Sequence, residues 1–383
     1  MINTTTKQVC IIGVGYVGEH LVEVFSKKYK VIGYDVSPDR VNLMKQRFSN
    51  KSNVTIQSSM DNINESDLFC ISVPTLLKND KTIDTSYVDS AVNMLSNTAK
   101  NGSTIVMESS VSVGMTRSLL GEFRKKNIYI GFSPERVDPG RIEPAADKIP
   151  KIISGVDTES LENVDNFYNT VFEKVVKVSS TETAEMCKLY ENCFRMINIA
   201  YINEISDNCH KLGIDVYEMV KACSSKPYGY MPFYPSLGVG GHCIPVNPFY
   251  LFTNNSLPLL EAATSASLDR PKQKAQDFMN DEKILVVGLA FKPGESYTMN
   301  SPGLEFANEL IKMGKNIVVY DPLVNQESKV VSHLKFLDSE KWDSDYIVKN
   351  FTSIVIAIKQ TKIDYSILNN IKEKMGVYKF CDV

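Results

Sequence analysis

The sequence predicts an α/β protein with two parallel-sheet domains joined by a helical segment. Short apolar runs alternate with helix-like stretches in the first part of the chain, similar strands recur after residue 282, and the pattern changes between them over residues 181–268. Strands that alternate with helices imply a parallel sheet covered on both faces. The chain has 383 residues, 43% of them hydrophobic, which is ample for more than one core.

Val9-Cys10-Ile11-Ile12 reads as a buried parallel strand, followed by a helix over 15–28 and a strand over 30–34. Further strands are expected at 68–73, 104–108, 128–132 and 151–154. Thr181 is a plausible N-cap for a long helix over 181–212, and Gly213 is a natural stop. A shorter helix over 215–223 precedes a loop rich in Pro, Gly and Tyr, residues 224–248, and long loops of that composition are usually functional. The second α/β unit has strands at 284–288, 316–320 and 353–358.

Composition limits the function classes. The net charge of -3 gives no basic footprint for nucleic acid. No run of about 18 apolar residues is present, so no membrane span is expected. The polar start, Met1 to Gln8, has no apolar signal segment, and no extension is expected beyond the Phe380-Cys381-Asp382 end. The eight cysteines are scattered without CxxC spacing, so no metal site is expected. A cytoplasmic protein with reduced thiols follows from these features.

Gly13-Val14-Gly15-Tyr16-Val17-Gly18 follows a strand and opens a helix, the context a dinucleotide-binding GxGxxG requires. The first glycine permits the turn, the second lets the backbone approach a pyrophosphate and the third lets helix and strand pack closely. The helix N-terminus offers free N–H groups to the phosphates. Asp35 ends the second strand, where it can accept from a ribose hydroxyl and repel a 2′-phosphate, favouring NAD over NADP. Arg40 nearby could accept a 2′-phosphate and keeps NADP open. A glycine turn without a ligand is the plain alternative.

A second candidate site is Leu237-Gly238-Val239-Gly240-Gly241-His242-Cys243-Ile244-Pro245. Glycines let backbone wrap around a ligand. A thiolate can attack an aldehyde, and hydride loss then gives a thioester that water hydrolyses. A structural cysteine is the competing reading; His242, next in sequence, points to loop packing or substrate contact rather than to the thiol's base. Lys188 and Asn192 are four apart on the long helix and share a face, where they could hold an oxyanion or be a solvated face. Glu135, in Phe132-Ser133-Pro134-Glu135-Arg136 after a strand, could activate water or be a surface acid.

These motifs resemble those of the UDP-glucose/GDP-mannose dehydrogenase family. Gly13 to Gly18, Ser72-Val73-Pro74-Thr75, Ser109 to Gly114, Ser133 to Arg136, Ala184 to Asn192, Gly240 to Pro248 and Gly288-Leu289-Ala290-Phe291-Lys292-Pro293 occur in the family's order over nearly the whole chain. Val137-Asp138-Pro139-Gly140 after the glutamate motif, and Gly240 to Pro245, resemble the UDP-N-acetylhexosamine dehydrogenases within it.

The resemblance implies two Rossmann-like doubly wound domains joined by a long central helix: an NAD-binding domain over 1–178, a central helical and dimerisation segment with the cysteine loop over 179–275, and a UDP-sugar-binding domain over 276–383. It implies Cys243 as nucleophile, Lys188 and Asn192 on the reacting oxygen, and Glu135 in thioester hydrolysis. Gly13, Gly15, Tyr16, Val17, Gly18, Asp35, Arg40, Pro74, Thr75 and Ser110 are implied on the NAD side. Ser110 falls where the family often has a threonine that holds a water near the nicotinamide. Arg136, Ser236, Gly240, Phe291 and Lys292 are implied on the substrate side, Lys292 facing the UDP phosphates.

Two positions depart from the family. Asn247 replaces an aspartate and cannot serve as a base, though it can orient water or the thiol; base work would then fall to Glu135. Met299 stands where an arginine usually helps bind the nucleotide sugar.

The implied activity is oxidation of the C6 alcohol of a nucleotide sugar to a uronate with two NAD, in a homodimer formed through the central helix. UDP-N-acetylglucosamine or its manno-epimer is the expected substrate, then UDP-glucose, then GDP-mannose. The alternatives are a catalytically weak nucleotide-sugar-binding protein, which Asn247 and Met299 would favour, and a simple two-electron dehydrogenase, which would have no use for the cysteine loop.

Overall fold

The computed structural model describes residues 7–78, 80–137 and 143–382. The Asp138-Pro139-Gly140 motif and the N-terminus up to Thr6 lie outside the described residues. The chain divides into two units, one of Met1–Glu191 with Phe249–Asn255 and one of Asn192–Pro248 with Ser256–Val383.

The first unit contains β1 (Gln8–Ile12), α1 (Tyr16–Phe25), β2 (Lys30–Tyr34), α2 (Pro38–Arg47), β3 (Val54–Gln57) and β4 (Leu68–Ile71). It continues with the short pair β5 (Leu76–Leu77) and β6 (Ile83–Asp84), then α3 (Ser86–Thr98), β7 (Thr104–Met107), α4 (Met115–Leu120), β8 (Tyr129–Phe132), β9 (Lys151–Gly155), α5 (Thr158–Tyr168) and β10 (Val175–Lys177). Its sheet has the order β10-β9-β8-β7-β4-β1-β2-β3. All pairings are parallel except β8 with β9.

The order reverses between β1 and β4, and such a switch point opens a crevice at the strand C-termini. Strand periodicity explains the two covered faces. Val9 and Ile11 pack with Leu21, Val22, Met44 and Phe167 on one face, while Cys10 and Ile12 pack with Val88, Leu95 and Leu120 on the other. Each buried Val, Leu, Ile, Met or Phe among these contributes about 1.5–3 kcal/mol, so the two-sided core fixes the register.

Next come α6 (Thr181–Leu212) and α7 (Val216–Cys223). The sequence places the α6 N-cap at Thr181, but the structure places it at Ser180, whose hydroxyl accepts from Thr183 N at 3.1 Å. The hydroxyl one residue earlier reaches the orphan N–H three residues on. Gly213, with φ +69°, ends the helix: Ile214 N donates to Cys209 O at 2.9 Å and Gly213 N to His210 O at 3.3 Å, the paired pattern of a Schellman cap. Asp215 caps α7 with its side chain.

The chain then forms α8 (Asn247–Phe252), α9 (Pro258–Ala275), β11 (Lys283–Val287), α10 (Pro302–Lys312), β12 (Asn316–Tyr320), α11 (Ser344–Asn350), β13 (Ser353–Ile356), α12 (Leu368–Ile371) and β14 (Gly376–Lys379). The second sheet, β12-β11-β13-β14, is parallel throughout.

The two sheets begin alike. Gly13 N donates to Tyr34 O at 2.8 Å, and Gly288 N to Tyr320 O at 2.9 Å. A Cβ on Gly18 would lie 1.9 Å from Gly13 O, and one on Gly303 would lie 2.5 Å from Gly288 O. The same close helix–strand approach is therefore built twice, five residues after the turn in one case and fifteen in the other. No described helix is long and apolar enough to cross a membrane.

Candidate active site

In the first unit the glycine turn leads into α1, with Gly15 as N-cap. A Cβ placed on Gly15 meets nothing within 4 Å, so the backbone there faces open space at the helix start. That cradle fits a dinucleotide pyrophosphate. Asp35 accepts from Val14 N and from Ser37 N, both at 2.9 Å, so its carboxylate ties the turn to the end of β2. Arg40 is committed to the same loop. Its guanidinium donates to Val14 O at 2.6 Å and Gly15 O at 3.2 Å, and pairs with Glu19 at 2.5 Å. An arginine so engaged braces the turn rather than awaiting a 2′-phosphate. Thr75, after β4, donates its hydroxyl to Ser110 O at 2.9 Å, joining the loops that follow β4 and β7 at the strand C-termini.

The Ser133–Arg136 turn after β8 is pinned from beneath. Lys151 Nζ lies 2.6 Å from Glu108 Oε2 and donates to Pro134 O at 3.1 Å, while Tyr168 donates to Glu108 Oε1 at 2.6 Å. Lys151 and Glu108 are 5% and 1% exposed, so the pair is desolvated and needs these hydrogen bonds. Burial pushes the Glu108 carboxyl above the ordinary carboxylate range, opposed by the Lys151 charge and reinforced by Glu135. Glu135 itself accepts from Val137 N, and its carbonyl accepts from Lys188 Nζ on α6. Arg136 pairs with Glu191 at 2.7 Å and donates to Pro150 O at 2.8 Å. A cleft in this unit is lined by His20, Glu135, Arg136 and Lys151.

In the second unit Cys243 is half-buried, and its carbonyl accepts from Asn247 N at 3.0 Å as the chain turns into α8. Asn192 and Asn247 are buried, and Asn192 Nδ2 donates to Asn247 Oδ1 at 2.7 Å. Arg195 donates to Asn192 Oδ1. His242 is exposed. Gly241, with φ +80°, would place a Cβ 2.8 Å from the Phe291 ring, and a Cβ on Gly240 would lie 2.8 Å from Phe291 Cβ. The paired glycines thus let the cysteine loop lie against Phe291. Met299 O accepts from Gly241 N at 3.1 Å, and Asn300 Nδ2 donates to Gly241 O at 2.9 Å. Lys292 is half-buried. Ser236 serves the loop itself: its hydroxyl donates to Gly238 O at 2.9 Å, its N–H to Asn203 at 2.7 Å, and its carbonyl accepts from Arg270 at 2.9 Å.

Sequence reasoning missed three groups in these constellations. Arg195, three residues after Asn192 on one helix face, could have been found by spacing. Glu108 and Lys151 are 43 residues apart, and no local pattern links them.

Three family models match the chain: the UDP-glucose/GDP-mannose dehydrogenase family NAD binding domain over 7–174, its central domain over 182–266 and its UDP binding domain over 285–383. The chain belongs to the UDP-glucose/GDP-mannose dehydrogenase family. It is 31% identical over 350 residues, 84% of this chain and 81% of the relative, to a UDP-N-acetyl-D-mannosamine dehydrogenase of Methanococcus maripaludis. It is 29% identical over 356 residues, 84% of each, to a UDP-N-acetyl-D-glucosamine 6-dehydrogenase of Pseudomonas aeruginosa. The solved UDP-D-ManNAc dehydrogenase from Pyrococcus horikoshii superposes with a TM-score of 0.85 at 25% identity, covering 98% of this chain and 95% of that one. As a member of the UDP-glucose/GDP-mannose dehydrogenase family, the chain is an NAD-dependent nucleotide-sugar 6-dehydrogenase with a UDP-binding domain. The open cradle at Gly15 and the bracing role of Arg40 agree with NAD as its cofactor.

Proposed function

We propose that this enzyme oxidises C6 of a UDP-N-acetylhexosamine, with N-acetylglucosamine or its manno-epimer as the sugar, to the uronic acid through a thioester on Cys243. The observation that carries the reading is the setting of the thiol, in a loop whose paired glycines lie against Phe291 and whose next turn presents Asn247 hydrogen-bonded to Asn192. The names of the relatives support an acetamido sugar.

Bound NAD supplies the hydride acceptor for both oxidations. Lys188 and Asn192, one helical turn apart on α6, hold the C6 oxygen by charge and hydrogen bonding. The Cys243 thiolate adds to C6 of the aldehyde, forming a C–S bond as the carbonyl oxygen becomes anionic. Loss of the C6 hydride restores the C=O as a thioester. Water attacks that carbonyl, the C–S bond breaks, and the carboxylate leaves a free thiol. Glu135, held beside the Lys151–Glu108 pair, orients and deprotonates that water. NAD binding falls to residues 1–178, the cysteine loop to 179–275 and UDP-sugar binding to 276–383. Exposed apolar side chains on α6, Met186, Tyr190 and Tyr201, support a homodimer through this helix.

The test is NADH formed per mole of sugar over a panel of UDP-N-acetylglucosamine, UDP-N-acetylmannosamine, UDP-glucose and GDP-mannose. The expected result is two NADH and one uronate from an acetamido sugar, and no uronate from Cys243→Ser. Undiminished uronate from that variant refutes the thioester. Asn247, which cannot act as a base, favours a second reading, a nucleotide-sugar-binding protein with little turnover. That reading holds if NAD and UDP-sugar bind but no member of the panel yields NADH.

A further inference from the structure

The second sheet has a switch point of its own. β11 pairs with β12 on one side and with β13 on the other, so a ligand crevice opens beyond the C-termini of β11 and β13. The loop after β11, residues 288–301, carries Phe291 and Lys292, and the loop after β13, residues 357–364, carries Gln360. The two loops meet at the glycine turn, where a Cβ on Gly288 would lie 2.1 Å from Ile358 Cγ2 and 2.6 Å from Ile358 O.

Gln360 is 1% exposed, and its side chain holds the neighbouring loop. Its Oε1 accepts from Gly294 N at 2.7 Å and from Thr361 N at 2.9 Å. Its Nε2 donates to Glu295 O at 2.9 Å and to both carboxylate oxygens of Asp321 at 3.3 Å. Backbone N–H groups only donate and a carboxylate only accepts, so the buried amide has a single satisfied orientation. Asp321 in turn accepts from Leu289 N at 2.8 Å and Ala290 N at 3.1 Å. The loop is therefore tied at its start by Asp321 and at 294–295 by Gln360, with Phe291 and Lys292 between the two anchors. Phe291 lies against Gly240 and Gly241 of the cysteine loop, while Pro293 and Gly294 are exposed.

We infer that Gln360 is a positioning residue for nucleotide binding: by clamping Gly294 and Glu295 it holds the Phe291–Lys292 segment in the shape that takes UDP. The inference rests on the proposed binding of the UDP-sugar by the C-terminal domain. A loop fixed beforehand loses little conformational freedom when ligand arrives. Without the clamp the segment is ordered only on binding, and the entropy of that ordering is subtracted from the affinity.

The test is calorimetric titration of the full-length enzyme with UDP, and with NAD as the reference ligand of the first unit. Gln360→Met keeps the stem and removes both polar atoms. It is expected to weaken UDP binding at least about tenfold, the cost of ordering one or two residues, while NAD affinity stays within about twofold. Gln360→Glu keeps the shape and covers the case in which the Met variant fails to fold. Protonated, the new carboxyl accepts from Gly294 N and donates to Asp321 or Glu295 O; ionised, it donates nothing and faces the Asp321 carboxylate. Among the described residues, the titratable side chains hydrogen-bonded to Gln360 are Asp321 and Tyr365, whose hydroxyl accepts from Gln360 N at 2.9 Å, and the parent has both. Burial beside a carboxylate raises the new carboxyl. Measured against the parent at the same pH, UDP affinity should thus be nearly parental at the acid end and fall at least about tenfold as pH rises through the carboxyl's value, a titration that a merely structural role would not produce.

Unchanged UDP affinity in a folded Gln360→Met enzyme overturns the inference. So does equal loss of UDP and NAD affinity in that variant, which marks a general loss of structure, or a Gln360→Glu enzyme whose affinity relative to the parent is the same at every pH. A parent enzyme that binds NAD but no UDP overturns the assignment of UDP to the C-terminal domain, and the role of Gln360 with it.

Discussion

Replacing Lys151 by Met tests how the turn bearing Glu135 is held. The substitution keeps the stem and deletes the ammonium, which makes two contacts, 2.6 Å to Glu108 Oε2 and 3.1 Å to Pro134 O. Glu108 stays buried and, among the described residues, keeps the Tyr168 hydroxyl as its donor, at 2.6 Å. Breaking a buried pair by removing one partner costs about 3–5 kcal/mol, and this value is expected near neutral pH.

The sign of its pH dependence follows from the Glu108 carboxyl. Burial raises it and Lys151 opposes that rise, so the variant's carboxyl rises further. A carboxyl raised in the folded state holds its proton there more tightly than in the unfolded chain. Stability is therefore greatest below the ordinary carboxylate range and falls as pH rises through the folded value. The gap between parent and variant should be small below the ordinary carboxylate range and widen as pH rises through the folded value. Urea unfolding followed by far-UV circular dichroism measures it, and fluorescence of Trp342, the sole tryptophan, reports the second unit as an internal control. Adding Glu108→Gln removes the buried charge and should recover about 2 kcal/mol at the higher pH. A loss independent of pH, or a double variant no more stable than Lys151→Met, refutes the account.

Two further outcomes follow from the glycine turns. Gly15→Ala should leave the melting temperature nearly unchanged, because its Cβ meets nothing within 4 Å, yet weaken NAD binding at least about tenfold by filling the space of the phosphates; calorimetric titration with NAD decides it, and unchanged affinity would remove the cradle from the binding site. Asp321→Asn should destabilise the second unit by about 1–3 kcal/mol, since the carboxylate accepts from Leu289 N at 2.8 Å, Ala290 N at 3.1 Å and Leu323 N at 3.0 Å, and an amide would turn N–H toward N–H. Trp342, stacked on Tyr320 at 4.8 Å, reports that transition, and an unchanged midpoint would contradict it.

Much of the fold was legible because central parallel strands are buried on both faces and read as continuous apolar runs. Residues 30–34 and 316–320 come out with the expected bounds, as does the helix over 181–212. The strands missed lie at sheet edges. β3, β10 and β14 are partly exposed and carry polar residues such as Gln57 and Lys177, so no apolar run marks them. The helix over Pro258–Ala275 contains Pro271 and lacks a clear apolar stripe. In the site, glycine spacing announced the NAD turn, and the loop composition announced Cys243. The engagement of Arg40 with Val14 and Gly15 was hidden, because a sequence shows that an arginine is near a ligand but not what already holds it. The Glu108–Lys151 pair was hidden because it joins β9 to the end of β7 across the sheet.

The spacing of the two close-approach glycines bears on how this enzyme can change. In the first unit only four residues separate Gly13 from Gly18, so almost any insertion there disturbs the contact between helix and strand. In the second, Gly288 and Gly303 keep an equivalent contact while fourteen residues between them, Phe291, Lys292, Met299 and Asn300 among them, are free of that duty. The stretch between the second pair of glycines can thus change in length without breaking that helix–strand contact, whereas the stretch between the first pair is held to one length.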